Sequence, residues 1–580
     1  MLPTASAPSR TAGAPTWRGL LGLVRLAPGH ATAKALCTVA ALAAALALPA
    51  VSARVVDRVL TQQGAGRALA VLTALLVLRT VAEAYGEVAG VSAHTGALAS
   101  LRYRLVGHVL ALGVPGTRRH ATGDLVTRLT GNASTAARAV PEVVEAVVAT
   151  VASLGGLIAL SVLDRRLGLA FVAGAVPTVL LIRRLMNQVT TSFGEYLGHL
   201  AAIAARLTDA LAGSRTIRAA GTGPREVDRV LAPLPDLSAA GLRTWAVRRA
   251  VSWQVGVALV ALRVAVLGVA GLGVAAGRLS PGEFLAAALY VSVALGFVQQ
   301  VDTLMFLAGA RAHAGRVHEV LADEPPRPGA AGELPPGPGA LSFRTVSVRH
   351  GDRTVLDALD LEVPAGASVA VVGRSGAGKT TLSLLAGRLL DPDEGEVLID
   401  GVGAGTLDTA ALRRAVGYAF DQPVLLGDTV RDALAYGRPG ADVEHAARVA
   451  QAEDFVRRLP DGFDTALDGA PFSGGELQRL GLARAVVHGG RILVLDDATS
   501  SLDTITEARL SAALTDGLTG RTRLLVANRA ATAARADLVA WLDDGRIRAL
   551  APHHTLWADE PDYRAVFAPA PRDGEEERCA

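Results

Sequence analysis

The chain has 580 residues, of which 51% are hydrophobic and only 19% are charged. Such a chain is too long for one core and too apolar for an ordinary soluble protein, so we expect a membrane portion and at least one further domain. The net charge is only +3, no basic stripe is interleaved with aromatic residues, and the two cysteines lie at opposite ends. These features exclude a nucleic-acid partner and a disulfide scaffold.

The first half of the chain predicts a helical membrane domain. Residues 1–16, rich in Ala, Ser, Thr and Pro, predict a disordered tail, and the membrane domain covers 17–322. Six apolar stretches in it are long enough to span a bilayer: about 35–56, 68–91, 141–163, 167–184, 250–277 and 282–307. Six spans place both termini on one side, and the arginine-rich inner segments predict that this side is the cytoplasm, so we expect a multi-pass protein of the cytoplasmic membrane.

Among the charged residues inside these predicted spans, we single out Glu83 and Glu87, which lie four apart on one helical face, and Arg263, which lies in the middle of its span. Ionisable residues in a membrane usually face the bundle interior or a transport pathway, so one interpretation is that they contact cargo. The alternatives are an internal salt bridge between the second and fifth spans, or a position at the membrane interface.

The second half has a different character. A linker dense in Pro and Gly, 323–339, precedes a region, 340–569, in which short apolar strands alternate with helical stretches. This alternation predicts an α/β domain with a largely parallel sheet. Residues 570–580, which include a run of Glu, predict a second disordered tail.

The strongest motif is a phosphate-binding loop. A buried strand, 369–372, runs into a glycine-rich loop and then a helix, and the loop residues are Gly373, Arg374, Ser375, Gly376, Ala377, Gly378, Lys379, Thr380 and Thr381. The glycines allow backbone N–H groups to approach phosphate oxygens, and the helix N-terminus adds its positive dipole end. Lys379 is placed to reach the β- and γ-phosphates, and the Thr380 hydroxyl to bind Mg²⁺.

Two further motifs lie downstream. A strand from Ile492 ends in Asp496 and Asp497, and a carboxylate at a strand end beside a phosphate loop can hold Mg²⁺. A second anion-binding helix start consists of Ser473, Gly474, Gly475 and Glu476.

Together with Ser500–Asp503, these motifs resemble those of ATP-binding cassette (ABC) transporters, specifically exporter-type half-transporters, over about residues 17–568. The resemblance implies a six-helix membrane domain fused to a nucleotide-binding domain, with ATP and Mg²⁺ as cofactors and a second half-transporter as partner. Each nucleotide would lie between the phosphate loop of one chain and the signature segment, here Ser473–Glu476, of the other.

Four positions depart from the family pattern. The glutamate that acts on the attacking water is replaced by Asp497, and the switch histidine by Asn528. Asp is one methylene shorter, and the Asn amide cannot carry a proton as histidine does. The glutamine-loop position near the metal aligns with Asp421, or with Gln422 if the register shifts by one, and the adenine-stacking tyrosine aligns with His350.

These departures all concern the nucleotide bound by this chain's own phosphate loop. The signature segment, in contrast, keeps the residues that can face the γ-phosphate of the partner's nucleotide. We therefore expect a heterodimer in which ATP is hydrolysed mainly at the partner's site. The alternatives are a slow homodimer, an exporter-shaped importer of iron-chelate complexes, and a nucleotide-gated regulator or channel. The cargo is expected to be an amphipathic small molecule, a peptide or a lipid, which the residues do not distinguish.

Overall fold

The computed structural model describes residues 28–567 apart from 299, 327, 328, 330–332, 469 and 519. The two predicted tails, 1–16 and 570–580, lie outside the described residues, as does part of the predicted linker. The chain forms two compact units, one from 28–108 and 121–322 and the other from 109–120 and 323–567.

The first unit is helical. Its helices, numbered through the chain, are α1 (Pro28–Leu60), α2 (Gly66–Arg119, which ends in the second unit), α3 (Thr122–Thr127), α4 (Ala133–Leu163), α5 (Arg165–Ala212), α6 (Ser214–Ala220), α7 (Gly223–Leu231), α8 (Leu234–Ala275), α9 (Pro281–Ala294) and α10 (Gln300–Leu321). A π-helical turn, Arg128–Asn132, joins α3 to α4, and a 3₁₀ turn, Leu295–Val298, follows α9. The sixth predicted span, 282–307, therefore covers parts of two helices.

Helix starts and breaks in this unit follow local sequence. Ser280 caps α9: its Oγ accepts a hydrogen bond from the backbone N–H of Glu283, whose side chain accepts one from the Ser280 N–H, and Pro281 occupies the first turn. Asp57 of α1 also accepts a hydrogen bond from the backbone N–H of Gly282 at 2.8 Å. A Cβ at Gly282 would lie 2.2 Å from the Ala53 carbonyl oxygen, so only glycine permits this contact between α1 and α9.

Most of these helices are both long and apolar. Within the described residues, five helical stretches are long and apolar enough to cross a membrane: Pro28–Leu60, Gly66–Gly116, Thr122–Leu163, Arg165–Ala212 and Gly223–Ala275. The helix Pro281–Ala294 is apolar but shorter. Large apolar side chains such as Val162, Leu169 and Trp253 are exposed on the helix surfaces, as expected where lipid is the solvent.

The second unit is an α/β domain with two sheets. Its strands are β1 (Leu341–His350), β2 (Arg353–Val363), β3 (Ser368–Val372), β4 (Glu394–Ile399), β5 (Val402–Gly403), β6 (Val416–Phe420), β7 (Ile492–Asp496), β8 (Thr522–Val526), β9 (Leu538–Asp543) and β10 (Arg546–Ala551). The smaller sheet has the order β2-β1-β4-β5 and is antiparallel; the larger has the order β10-β9-β3-β8-β7-β6 and is parallel from β9 to β6.

The helices of this unit are α11 (Lys379–Ala386), α12 (Thr409–Ala415), α13 (Val430–Leu434), α14 (Val443–Val449), α15 (Glu453–Val456), α16 (Gly474–Val487), α17 (Thr504–Gly517), α18 (Ala530–Ala533), α19 (His553–Asp559) and α20 (Pro561–Val566). The strands β3 and β7 are buried along their whole length, as the continuous apolar runs in the sequence indicate. The predicted fold class, a helical domain followed by an α/β domain, is confirmed.

Candidate functional site

A cavity of about 650 Å³ opens at the carboxyl ends of β3, β8 and β7, which are neighbours in the parallel sheet. This is the edge where ligands bind in open α/β sheets. The cavity is lined by His350, Arg353, Val355, Gly373, Arg374, Ser375, Gly376, Gly378, Lys379, Thr380, Thr381, Asp496, Asp497, Val526, Ala527, Asn528, Val566 and Phe567. Twelve of these residues were singled out from the sequence; Ala377, Asp421 and Gln422 are not in the lining.

The glycine-rich loop lies between β3 and α11. Gly378 has a φ of +106°, and a Cβ there would lie 2.8 Å from Cδ2 of Leu356, so the loop requires glycine at this position. The Lys379 ammonium donates hydrogen bonds to the carbonyl oxygens of Gly373 at 2.6 Å and Arg374 at 3.1 Å. Burial lowers the pKa of Lys379, while the nearby carboxylates of Asp497 and Asp496 oppose this shift.

Asp496, at the end of β7, is fixed by two hydroxyl groups of α11. Ser383 donates to its Oδ2 at 2.9 Å, and Thr380 lies 3.4 Å from its Oδ1. Burial raises the pKa of Asp496, and the hydrogen bonds from Ser383 and Thr380 partly offset this. Ser383 is fully buried and was missed from the sequence; its position three residues after Thr380, on the same helix face, was the available signal.

Asp497 and Asn528 contact each other. Asn528 Nδ2 donates to Asp497 Oδ2 at 2.8 Å, although the two residues are 31 positions apart in the chain. Burial raises the pKa of Asp497, the Asn528 hydrogen bond lowers it, and the charge of Asp421 raises it. Asp497 has a left-handed backbone with a φ of +53°, a conformation that Asp tolerates better than most residues.

Gln478 was also missed from the sequence, and its side chain links two loops near the cavity. It is 3% exposed; its Nε2 donates to the Asp421 carbonyl oxygen and to Ser500 Oγ, both at 2.9 Å, and its Oε1 accepts from the Ser501 backbone N–H at 2.9 Å. Asp421 and Gln422 themselves are exposed. A buried glutamine of α16 with all these contacts fixes the loop after β6 against the loop after β7.

The signature residues lie apart from this cavity. Ser473 and Glu476 form a reciprocal cap on α16: Ser473 N–H donates to Glu476 Oε2 at 2.8 Å, and Glu476 N–H donates to Ser473 Oγ at 3.3 Å. The hydrogen bond from the Ser473 backbone lowers the pKa of Glu476. Ser473 and Gly474 are exposed, and the helix N-terminus here is available to an anion from outside the chain.

Glu83, Glu87 and Arg263 do not contact one another. Glu83 pairs with Arg79 of its own helix at 2.8 Å, and Glu87 pairs with Lys34 of α1 at 3.3 Å. Arg263 is exposed on α8. A salt bridge that joins the second and fifth spans is not found among the described residues, whereas one that joins α2 to α1 is.

Comparisons with known proteins give a consistent result. A family model described as ABC transporter matches residues 356–500, and a model described as ABC transporter transmembrane region matches residues 34–298. The chain is 42% identical to the ABC transporter ATP-binding protein RamA of Streptomyces coelicolor, over 93% of this chain and 86% of that protein. It is 32% identical to an ATP-dependent lipid A-core flippase of Chromohalobacter salexigens, over 80% of this chain and 82% of that protein.

Among solved structures, a bacterial Atm1-family ABC exporter with ATP bound superposes with a TM-score of 0.76 at 24% identity. The superposition covers 95% of this chain and 98% of that one, and it supports the fold of both units.

Proposed function

Because this chain belongs to the ABC transporter family, as an exporter half-transporter with fused membrane and ATP-binding domains, we propose that it is one subunit of a heterodimer with a degenerate ATP site of its own. ABC exporters work as dimers and use ATP hydrolysis to drive export. Hydrolysis would then occur mainly at the other site, where the signature segment Ser473–Glu476 of this chain closes on the nucleotide held by its partner.

The observation that carries the proposal is the hydrogen bond from Asn528 to Asp497. An amide donor occupies one oxygen of the carboxylate that would accept a proton from the attacking water, and the amide cannot take up a proton in return. The shorter Asp side chain adds a positioning error, and errors of about 1 Å at a reacting centre can lower the rate a hundredfold. Nucleotide binding would persist, because the phosphate loop is intact.

The signature segment supports the second half of the proposal. Ser473 and Gly474 are exposed at the start of a helix of 14 residues, so the helix N-terminus and its dipole are accessible to a γ-phosphate, although the Ser473 N–H itself is bonded to Glu476. The capping bond to Glu476 fixes the helix start in advance of binding.

The residues around Asp496 fit Mg²⁺, because carboxylate and hydroxyl oxygens are the ligands that this ion prefers. We assign its binding to Thr380 and Asp496; a bound Mg²⁺ would neutralise charge on the phosphate oxygens. Ser383 keeps Asp496 oriented through its hydrogen bond, and Lys379 supplies the second positive charge on the phosphates. His350 and the loop residues Gly373–Thr381 complete the nucleotide site in this proposal, with Asp421 or Gln422 approaching it from the neighbouring loop.

The cargo is proposed to be an amphipathic small molecule, peptide or lipid exported across the cytoplasmic membrane, with both termini in the cytoplasm. One of the relatives is named as a flippase of lipid A-core, which supports an amphipathic cargo without identifying it.

ATP turnover by the purified full-length chain alone tests the heterodimer. We expect ATP to bind with ordinary affinity and to be hydrolysed slowly, because a dimer of this chain would contain two degenerate sites. The Lys379→Ala variant, which should not bind ATP productively, sets the background rate. Brisk turnover by the wild-type chain alone, well above that background, would contradict the proposal.

A further inference from the structure

The membrane unit contains two adjoining cavities that share three charged residues, and we call them polar and apolar after the side chains that make up most of each lining. The polar cavity, of about 440 Å³, is lined by Lys34, Glu87, Gly90, Val91, His94, Arg138, Pro141, Glu142 and Glu145. The apolar cavity, of about 220 Å³, is lined by Lys34, Thr38, Ala41, Leu42, Ala45, Ala82, Glu83, Gly86, Glu87, Glu145, Val148, Ala149 and Ala152. Both lie between α1, α2 and α4.

Lys34 is the centre of the shared part. It is 6% exposed, and its ammonium lies 3.1 Å from Glu145 Oε2 and 3.3 Å from Glu87 Oε1. An ionised carboxylate can accept about four hydrogen bonds, so both glutamates keep acceptor capacity beyond Lys34. Their side chains are also accessible, with exposed fractions of 80% for Glu87 and 46% for Glu145.

The charges around the polar cavity do not cancel. Arg138 pairs with Glu142 at 3.3 Å, and Lys34 faces two carboxylates, so the lining carries one carboxylate in excess. In addition, Nδ1 of His94 is buried with no hydrogen-bond partner among the described residues, which is unusual for a buried polar atom. A ligand with one positive charge and N–H donors would complement both features.

The sequence also indicates where the two cavities lie relative to the hydrocarbon layer of the bilayer. Lys34 and Glu145 each directly precede an uncharged stretch, 35–53 in α1 and 146–163 in α4. At 1.5 Å per residue each stretch is roughly 27 Å long, close to the thickness of the hydrocarbon layer of a bilayer. The Lys34–Glu145 pair therefore marks one boundary of that layer, with the polar cavity toward the interface and the apolar cavity toward the lipid tails.

We propose that these two cavities form a single binding site for an amphipathic cation, whose ammonium group lies against Glu87 and Glu145 and whose apolar chain extends along Ala41, Leu42 and Ala149. This inference rests on the proposed export function and narrows its cargo class. Ionisable residues on membrane-spanning helices commonly mark a ligand pathway. Here Lys34 holds the two carboxylates in place until a ligand cation shares them.

Photolabelling of the full-length chain in lipid nanodiscs tests the site. The probe is an alkyl primary amine that carries a diazirine in its chain, and the matched probe has a hydroxyl group in place of the amine. We expect the amine, and not the alcohol, to label peptides of α1 and α4. Glu145→Gln should reduce labelling by the amine about tenfold, whereas Lys34→Gln, which removes a competing cation, should increase it.

Glu195→Gln is the control variant, because Glu195 pairs with Arg243 at 3.6 Å on the exposed surface of the same unit and lines neither cavity. If Glu145→Gln does not fold, Glu87→Gln, which removes the other proposed contact of the ligand ammonium at a largely exposed side chain, replaces it with the same expectation. Equal labelling by the two probes, or unchanged labelling in the glutamate variants, overturns the inference. The assay contains no ATP, so its outcome is independent of the turnover that tests the heterodimer.

Discussion

Asn528 donates a hydrogen bond from its side-chain amide to Oδ2 of Asp497, and this bond joins two of the four positions at which we expect the chain to depart from the family's pattern. Each substitution taken alone could be neutral. In the proposed alignment, Asn528 replaces the switch histidine and Asp497 replaces the catalytic glutamate, and their contact leads us to expect that the two departures act as a unit.

The pH dependence of residual ATP cleavage should reveal this contact. Asp497 accepts a proton only when ionised, so cleavage is present above its pKa and is lost as the pH falls through it. Burial raises that pKa and the Asn528 hydrogen bond lowers it, so Asn528→Ala should raise it further. We expect the acid limb of the single-turnover rate to move to higher pH in this variant, and a limb that stays in place or moves to lower pH would show that the bond does not act on Asp497.

Ser383 should control the Mg²⁺ requirement of ATP binding. Its hydroxyl is fully buried and donates to Oδ2 of Asp496. Ser383→Ala removes a hydrogen bond to a buried carboxylate, which costs about 1–3 kcal/mol and leaves Asp496 less well oriented and with a higher pKa. The Mg²⁺ concentration that gives half-maximal retention of ATP should rise several-fold. Ser342→Ala, on β1 and outside the cavity, is the matched control, and an equal Mg²⁺ requirement in both variants would refute the role of Ser383.

Gln478 should be important for stability as well as for the site. Gln478→Leu leaves the Ser501 N–H without its side-chain acceptor and removes the donor to Asp421. We expect the free energy of unfolding of the ATP-binding unit to fall by about 1–3 kcal/mol, measured in full-length protein by denaturation followed through the buried Trp541. Gln422→Leu changes an exposed amide and should shift this free energy of unfolding by less than about 0.5 kcal/mol. Equal shifts in the two variants would contradict the bridging role.

The sequence predicted those parts of the fold and the site that depend on local pattern. The run Val369–Val372, the glycine loop and Lys379 occupy consecutive positions, so their strand, turn and helix are visible in the chain itself. Asp496 was predicted for the same reason, because it is the polar residue that ends an apolar strand.

Contacts between distant segments could not be predicted in this way. The hydrogen bond between Asn528 and Asp497 depends on β8 lying beside β7, and this strand order is a property of the tertiary structure. The pairing of Glu87 with Lys34 likewise depends on which helices are neighbours, and periodicity gives only the face of one helix. Gln478 was missed because a polar residue inside a helix carries no signal that it is buried.

The central claim is that this chain's own site is slow because of Asp497 and Asn528, and the most direct test is the rate of ATP turnover of the purified double variant Asp497→Glu with Asn528→His. The account predicts a turnover at least about tenfold above that of the wild-type chain, abolished again by Lys379→Ala. An unchanged rate in the double variant, or a wild-type rate already as fast, would contradict it.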